Sequence, residues 1–478
     1  MKNQSFKNLT ISSAVFILLL LWGCTTPQNA VRNENKSVPE RYTNSQDTLN
    51  VANLNWRAYF ADNNLIALID TAFKNNQELN IILQEIEMSN NEITARKGAY
   101  LPFLNVGVGA GVDKTAQYTR LGAVEEHLEV SPGTPFPKPL ADFTVGATVS
   151  WEIDIWGKLR NAEKSAISRY LASIEGKNFM AAHVIAEIAD AYYELMALDN
   201  LLSIIDQNIE IQSNAFRVVK QQKEFAKVSQ LAVNRFEAQL LNTQNRQFAI
   251  KQKIVETENR INFLTGRFPK PIARSSDRFL ELQIDSLQAG IPSQLLSNRP
   301  DIRQTEFELA AAKLDVEVAR ANFYPSLGIR AGVGFQAFNP AFLINPESLL
   351  YNLAGDLMAP LINRNALEAA YNSATAQQVK AVYNYEQTIL RAYTDVLNQL
   401  AKIDNFSKSY KTKSKEVDIL IQSITIANNL FNSAKADYAE VLLTQREALE
   451  AKTDAVEIKL RQLNAKVNIY KALGGGWK

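Results

Sequence analysis

The chain has 478 residues, with 51 Lys and Arg against 50 Asp and Glu, for a net charge of +1. That balance supplies no basic surface for a nucleic-acid partner, and 21% charged residues is the composition of a folded chain rather than a disordered one. One cysteine and two histidines exclude a disulfide framework and a thiolate metal site, and leave little material for general-base chemistry.

Residues 1–23 read as a secretory signal. Lys2 and Lys7 make a basic start, the stretch from Leu9 to Trp22 is almost wholly apolar or small, and Gly23 precedes Cys24. The apolar run is too short for a membrane span, which takes about 20 residues. Gly23-Cys24 resembles a lipobox, in which the thiol accepts a diacylglycerol, although Trp22 is bulkier than usual there. The expectation is lipidation at Cys24, with 24–55 as the lipidated N-terminal segment.

From there the chain is written twice: a first repeat over 56–266, an equatorial linker over 267–298, and a second repeat over 299–477. Lys227 to Gly266 aligns without a gap on Lys435 to Gly474, so that Leu241, Phe248 and Val255 fall on Leu449, Val456 and Leu463. Tyr100-Leu101-Pro102 matches Phe323-Tyr324-Pro325, and each is followed by an alternating, glycine-rich run. Each repeat reads helix, strand, loop, strand, and a pair of long helices. No proline lies between Pro139 and Pro269 or after Pro360, and no glycine between Gly355 and Gly474, so helices can run unbroken. Leu442, Leu449, Val456, Leu463 and Tyr470 recur every seven residues, a coiled-coil seam. The stretch from about Arg364 to Phe431 spans roughly 100 Å as one helix.

Strands are expected near 101–113, 142–154, 326–336 and 349–360. Phe143, Val145, Ala147, Val149 and Trp151 alternate with Thr144, Gly146, Thr148, Ser150 and Glu152, and the other runs alternate in the same way. Runs of about 10 residues with a period of two have the length and pattern of outer-membrane barrel strands. The apolar set is expected to face lipid and the polar set a lumen. Four strands cannot close a barrel, and open edges cannot face lipid. Eight pooled strands fill their interior with side chains, whereas twelve leave a lumen. The fold expected is a mixed α+β membrane protein: a twelve-stranded trimeric β-barrel, four strands per chain, continued by a long α-helical coiled-coil tube, with an internal tandem repeat. Residues from about Lys114 to Leu140 should form an irregular outer loop, and a second should lie near Phe338 to Ser348.

Other chemistry reads as structure. Gly107-Val108-Gly109-Ala110-Gly111 lacks the helix and spacing of a phosphate loop. Glu152 and Asp154 point to one side of a strand and are expected to line the lumen. Asp301 after Arg299-Pro300 suits a helix start. No catalytic, cofactor or metal residue is expected, and the chain is not expected to be an enzyme.

The sequence resembles the outer membrane efflux protein family, the TolC-like outer membrane factors, and most of all their NodT-type lipoprotein branch. The residues that carry the likeness are Asn298-Arg299-Pro300-Asp301-Ile302-Arg303 with Glu306, Ala319-Arg320-Ala321-Asn322-Phe323-Tyr324-Pro325, Ser150-Trp151-Glu152-Ile153-Asp154, Gly157-Lys158-Leu159-Arg160, and the ending Ala472-Leu473-Gly474-Gly475-Gly476-Trp477. The resemblance implies a lipid-anchored homotrimer in the outer membrane with a long periplasmic extension. It also implies passive export through a tripartite pump, completed by a periplasmic adaptor and an inner-membrane transporter of the resistance-nodulation-division type. Type I secretion and metal efflux use ducts of the same kind, and a structural coiled-coil lipoprotein is the alternative from another class. At the periplasmic tips, near Glu224 to Ser229 and Asn432 to Asp437, Lys227 and Lys435 stand where the family usually has glycine, and Leu443 where many members have aspartate. Asp437, Glu440 and Leu443 are the gate candidates, as rings in a trimer. Lys227, Ser229, Lys435 and Ala436 are the adaptor-contact candidates.

Overall fold

Helices and strands follow one another in an order that occurs twice. The computed structural model describes residues 32–42, 50–283, 288–360, 362, 364–433 and 435–477; the predicted signal and Cys24 lie outside them. The first pass runs α1 (Trp56–Phe60), α2 (Asn63–Asn75), α3 (Gln77–Tyr100), β1 (Phe103–Asp113), α4 (Arg120–His127), the short ribbon β2 (Glu129–Ser131) and β3 (Thr134–Pro135), β4 (Leu140–Ile153), α5 (Lys158–Glu224) and α6 (Gln230–Leu264). An extended linker leads to the second pass: α7 (Leu295–Asn298), α8 (Pro300–Ala321), β5 (Ser326–Ala337), β6 (Leu349–Met358), α9 (Asn365–Asn432) and α10 (Tyr438–Ala472). Two compact units draw on both passes. Among the described residues, one comprises 32–33, Met88–Tyr170 and Phe307–Val382, and the other falls within Glu34–Glu87, Leu171–Glu306 and Tyr383–Trp477.

The first unit holds one four-stranded antiparallel sheet in the order β1-β4-β5-β6. Its register sorts the side chains. Val108 pairs with Val145, which pairs with Phe335, which pairs with Leu349. One residue along, Gly107 pairs with Gly146 and Gly146 with Gly334. Because alternate residues point to opposite faces, one face collects Leu104, Val106, Val108, Val145, Val149, Ile329, Val333, Tyr351 and Leu353. The other collects Asn105, Thr144, Thr148, Ser150, Arg330, Gln336, Asn352, Asp356 and every strand glycine except Gly355. Gly334 has to be glycine, since a Cβ there would stand 2.5 Å from the Val145 carbonyl oxygen.

At the foot of the sheet the chain turns into α5. Gly157 takes a positive φ, and the Asp154 carboxylate accepts from the Leu159 and Arg160 amides at 3.1 and 3.0 Å. Its side chain is 2% exposed. The expectation that Asp154 lines a lumen is therefore wrong: the carboxylate is spent on the unpaired N–H groups of the α5 start. The loop between β1 and β4 also differs from expectation. Four prolines do not keep it irregular; it holds α4, capped by the Thr119 hydroxyl, and the β2–β3 ribbon. Trp151 and Trp156 donate their indole N–H to the Tyr100 and Pro325 carbonyls, and Trp156 stacks on Tyr324. Such a set of amphipathic rings suits a membrane–water boundary.

The second unit is helical. From Ala181 to Leu198, α5 is buried except along a narrow stripe of His183, Glu187, Asp190 and Glu194, which explains why the rest of the stretch is apolar or aromatic. The two repeats end alike. Gly266 and Gly474 both have positive φ, and their flanking amides make the same pair of bonds: Gly266 to Phe263 and Arg267 to Asn262, then Gly474 to Lys471 and Gly475 to Tyr470. This is a Schellman stop, set by glycine at equivalent positions. The linker is clasped by Arg274, whose guanidinium donates to Asp199 at 2.6 and 2.8 Å and to Glu258 at 2.6 Å. Arg299 binds Asp301 and the Ala472 carbonyl, which bears out Asp301 as part of a helix start. No described helix is long and apolar enough to cross a membrane.

Asp190 on α5 meets the Asn468 amide of α10 at 3.1 Å, and its other oxygen has no hydrogen-bond partner. Burial raises its pKa to about 6, against the opposing pull of the Asn468 amide, Lys471 and Arg260. The folded state thus holds this proton more tightly than the unfolded one. Its stabilisation is complete below about pH 4 and is lost as pH rises through about 6, a change on the order of 3 kcal/mol. Asp190→Asn should flatten the fall in thermal unfolding midpoint over that window; an unaltered pH profile would show that Asp190 does not cause it.

Candidate functional site

Two places could act on a solute or a partner: the polar face of the sheet and the two helical tips. On the polar face Arg330 approaches Asp356 at 3.4 Å, and Gln336 donates to Asp142 at 2.9 Å. Glu152, on the same face, pairs with Lys158 at the start of α5. The opposite face is apolar and open, with Val106, Val108, Tyr351 and Leu353 each at least 75% exposed. β1 and β6 are both edge strands, so each leaves a row of backbone groups unpaired in the single chain.

The first tip joins α5 to α6. Its Ala226 amide donates to the Lys223 carbonyl and its Lys227 amide to Gln222, another Schellman stop. The residue with positive φ is Ala226, at 58°. A Cβ in that conformation costs roughly 1–2 kcal/mol, so the left-handed position is one residue before Lys227. Ser229 caps α6, its hydroxyl accepting from Ala232 at 3.3 Å. Lys227 is exposed. At the second tip Lys435 donates its amide to Leu430, the equivalent bond. Asp437 occupies the cap position of α10, but its side chain makes no cap bond. Asp437, Glu440 and Lys435 are exposed and Ala436 is half-buried. Leu443 is 45% exposed, whereas Leu442 turns inward.

An apolar cluster ties the tips together. Val219, Ala232, Val233 and Phe236 form its centre, and Val228, Tyr438 and Leu442 pack against it. The first hairpin and the start of α10 are thus one packed body. Seven residues further up each helix, from Val219 to Gln212 and from Tyr438 to Gln445, the seam becomes polar. Gln212 and Gln445 are 2% and 5% exposed, and their side-chain oxygens have no hydrogen-bond partner. Sequence reading missed this layer, although the heptad spacing carried the signal: Leu198, Ile205, Gln212 and Val219 recur every seven residues, and Gln212 breaks an apolar series.

A buried amide without partners weakens its layer by about 1–3 kcal/mol. Gln212→Leu is expected to raise the thermal unfolding midpoint, because an apolar side chain of similar size removes that cost. A lowered midpoint would mean that the amide is satisfied by groups that the leucine displaces.

Among the described residues no cluster of three His, Cys, Asp or Glu could hold a metal ion. The outer membrane efflux protein family matches residues 68–267 and 291–475. The pyoverdine export outer membrane protein OpmQ of Pseudomonas aeruginosa is 28% identical over 485 residues, covering 99% of this chain and 98% of the relative. The cation efflux system protein CusC of Escherichia coli is 25% identical, covering 97% and 98%. The toluene efflux pump outer membrane protein TtgI of Pseudomonas putida is 26% identical, covering 99% of each. In fold, the chain is similar to the open state of the Neisseria gonorrhoeae MtrE outer membrane channel, with a TM-score of 0.83 at 22% identity, covering 95% of this chain and 99% of that one. With both halves matched and the element order repeated in each, the chain belongs to the outer membrane efflux protein family.

Proposed function

We propose that this protein is the outer-membrane exit duct of a tripartite efflux pump, and that it works as a homotrimer. The observation that carries the reading is the sheet: four strands, two free edges, one apolar and one polar face. Backbone groups at a free edge cannot be left unpaired in lipid, so the strands of several chains must be pooled. Three chains give a twelve-stranded barrel with room for an aqueous lumen. The polar face, with its glycines, lines that lumen, and the apolar face meets lipid.

The helices support the same assembly. Leu449, Val456 and Leu463 of α10 are at most 2% exposed, yet their equivalents on α6, Leu241, Phe248 and Val255, are 57%, 65% and 51% exposed. One heptad stripe finds its partner within the chain; its twin finds one on the next copy. The tube so formed extends the lumen into the periplasm and ends at the tips, where Asp437, Glu440 and Leu443 form the gate. A periplasmic adaptor engages the tips and an inner-membrane transporter supplies the energy. Relatives named for pyoverdine, cations and toluene carry chemically unlike cargo. A passive duct suits that range, because selection then occurs upstream. Cys24 adds a lipid anchor. Residues behind it are strapped to the helical unit, through Lys36 to Glu306 at 2.7 Å and a Tyr42–Tyr393 stack at 5.7 Å.

Purified protein is expected to migrate as a heat-sensitive trimer on gels of unboiled samples and to conduct in planar bilayers; a non-conducting monomer would overturn the proposal. Val145→Arg should cost about 2–4 kcal/mol and deplete the membrane-inserted trimer, whereas Thr144→Arg should change conductance alone. Equal depletion by both would mean that this assignment of faces to lipid and lumen is wrong.

The subunit contact is tested apart from the barrel. Phe248→Glu places a charge on the exposed stripe, and sedimentation in detergent should show loss of trimer while far-ultraviolet dichroism stays unchanged. A stable trimer would remove α6 from the interface.

A further inference from the structure

The two repeats finish the same turn differently. Gly266 and Gly474 are equivalent, and so are Asn75 and Asn298, by the match of Tyr100 to Phe323. Each glycine lies against its own asparagine: a Cβ on Gly266 would meet the Asn75 carbonyl, and one on Gly474 the Asn298 carbonyl. In the second repeat Trp477, three residues past the glycine, completes the turn. Its indole N–H donates to the Gly474 and Asn298 carbonyls at 2.8 and 3.2 Å, and Leu473 to Gly476 are buried. In the first repeat Pro269 stands in place of Trp477 and has no N–H to give. Among the described residues nothing donates to the Gly266 or Asn75 carbonyl.

Beside that turn opens a cavity of about 490 Å³, lined in part by Glu78, Asn262, Phe263, Gly266, Arg267 and Phe268. The volume lies within the range of small-molecule sites. Phe263 and Phe268, 74% and 94% exposed, stand where the second repeat has Lys471 and Gly476. Arg267 stands where it has Gly475. The Arg267 guanidinium donates to the Asn262 carbonyl at 2.7 Å, and the Asn262 amide is held in turn by the Glu258 and Lys270 carbonyls at 2.8 Å. Burial lowers the Arg267 pKa, with no carboxylate to offset the effect. Among the described residues neither Arg267 nor Glu78 has an ion-pair partner, although both line this cavity.

We propose that the cavity between the start of α3 and the end of α6 binds a free aromatic amino acid, with tryptophan the best fit. The chain's own Trp477 shows what completes such a turn: an aromatic ring with an N–H directed at the glycine carbonyl. The exposed phenylalanines offer the ring a stacking surface. One unpaired cation and one unpaired anion in a single cavity suit a zwitterion. The Arg267 fork takes the α-carboxylate and Glu78 the α-ammonium, both as charge-assisted hydrogen bonds. Asn262 fixes the guanidinium beforehand, so little ordering is left to the ligand. The bound molecule then links Gly266 to the start of α3, as Trp477 links Gly474 to Asn298.

The test is isothermal titration of the full-length protein in detergent with L-tryptophan, with tryptamine, which lacks the carboxylate, and with indole-3-propionate, which lacks the ammonium. Tryptophan is expected to bind saturably and tighter than either analogue. Arg267→Gln should weaken tryptophan and indole-3-propionate at least tenfold and tryptamine less than twofold. Glu78→Gln should weaken tryptophan and tryptamine and leave indole-3-propionate within twofold. The unaffected analogue in each case shows that the cavity is still formed. Phe268→Ala should weaken all three. Absence of saturable tryptophan binding overturns the proposal, and so does undiminished binding by both charge variants or an equal loss of all three ligands in each. Binding by the dissociated Phe248→Glu protein but not by the trimer overturns it as well, since a second copy would then fill the cavity. Conductance plays no part in this readout, so the duct reading stands or falls separately.

Discussion

Every peptide group in the two outer strands of the sheet must find a hydrogen-bond partner, and in hydrocarbon water cannot be that partner. That constraint organises the rest of the molecule. β1 and β6 expose their edges on opposite sides of the sheet, so pairing can continue only into other copies. In the proposed assembly the apolar face meets lipid, the glycine-rich face curls around a solvent-filled space, and the open sheet of one chain is one segment of a closed wall.

The repeat meets the same problem in the helices with a different outcome. α6 and α10 carry the same seven-residue apolar spacing and stop at the same glycine with the same two hydrogen bonds. One is buried in its own chain and the other is not. Duplication thus supplies two copies of one apolar stripe, of which folding uses the first and the proposed assembly the second. The tips show the complementary case. There the backbone bonds are repeated while the side chains have diverged, so the frame is common and the surface chemistry is not.

Much of this is legible in the sequence, and the reasons differ from element to element. The strands are visible because alternation reports directly on two unlike faces, and the register bears it out pair by pair from Val108 across to Leu349. The long helices are visible through the absence of proline and glycine. The turn at Gly266 and Gly474 is visible because only glycine takes that conformation cheaply. Ala226 hides its positive φ, because alanine carries no such signal and the hydrogen bonds of the turn impose it. Asp154 misleads because strand alternation continues to it one residue past the strand's end. α4 was missed because its neighbouring prolines dominate the composition of the loop. Burial of Leu449 but not Leu241 could not be read at all, since the two share their local pattern and differ only in what the rest of the chain brings to them.

The exposed heptad on α6 also bears on how the protein comes into being. Before assembly, each copy carries that stripe and an apolar sheet face in water, surfaces suited to indiscriminate association. Correct partners and wrong ones then compete for the same residues, and the outcome depends on concentration and time as much as on the final energy. A chain waiting alone between two membranes is therefore the most vulnerable species in its life cycle. In the proposed trimer its yield is governed by how quickly it meets two others beside a bilayer, a race that begins when the first copy has folded and ends when the last strand edge is paired.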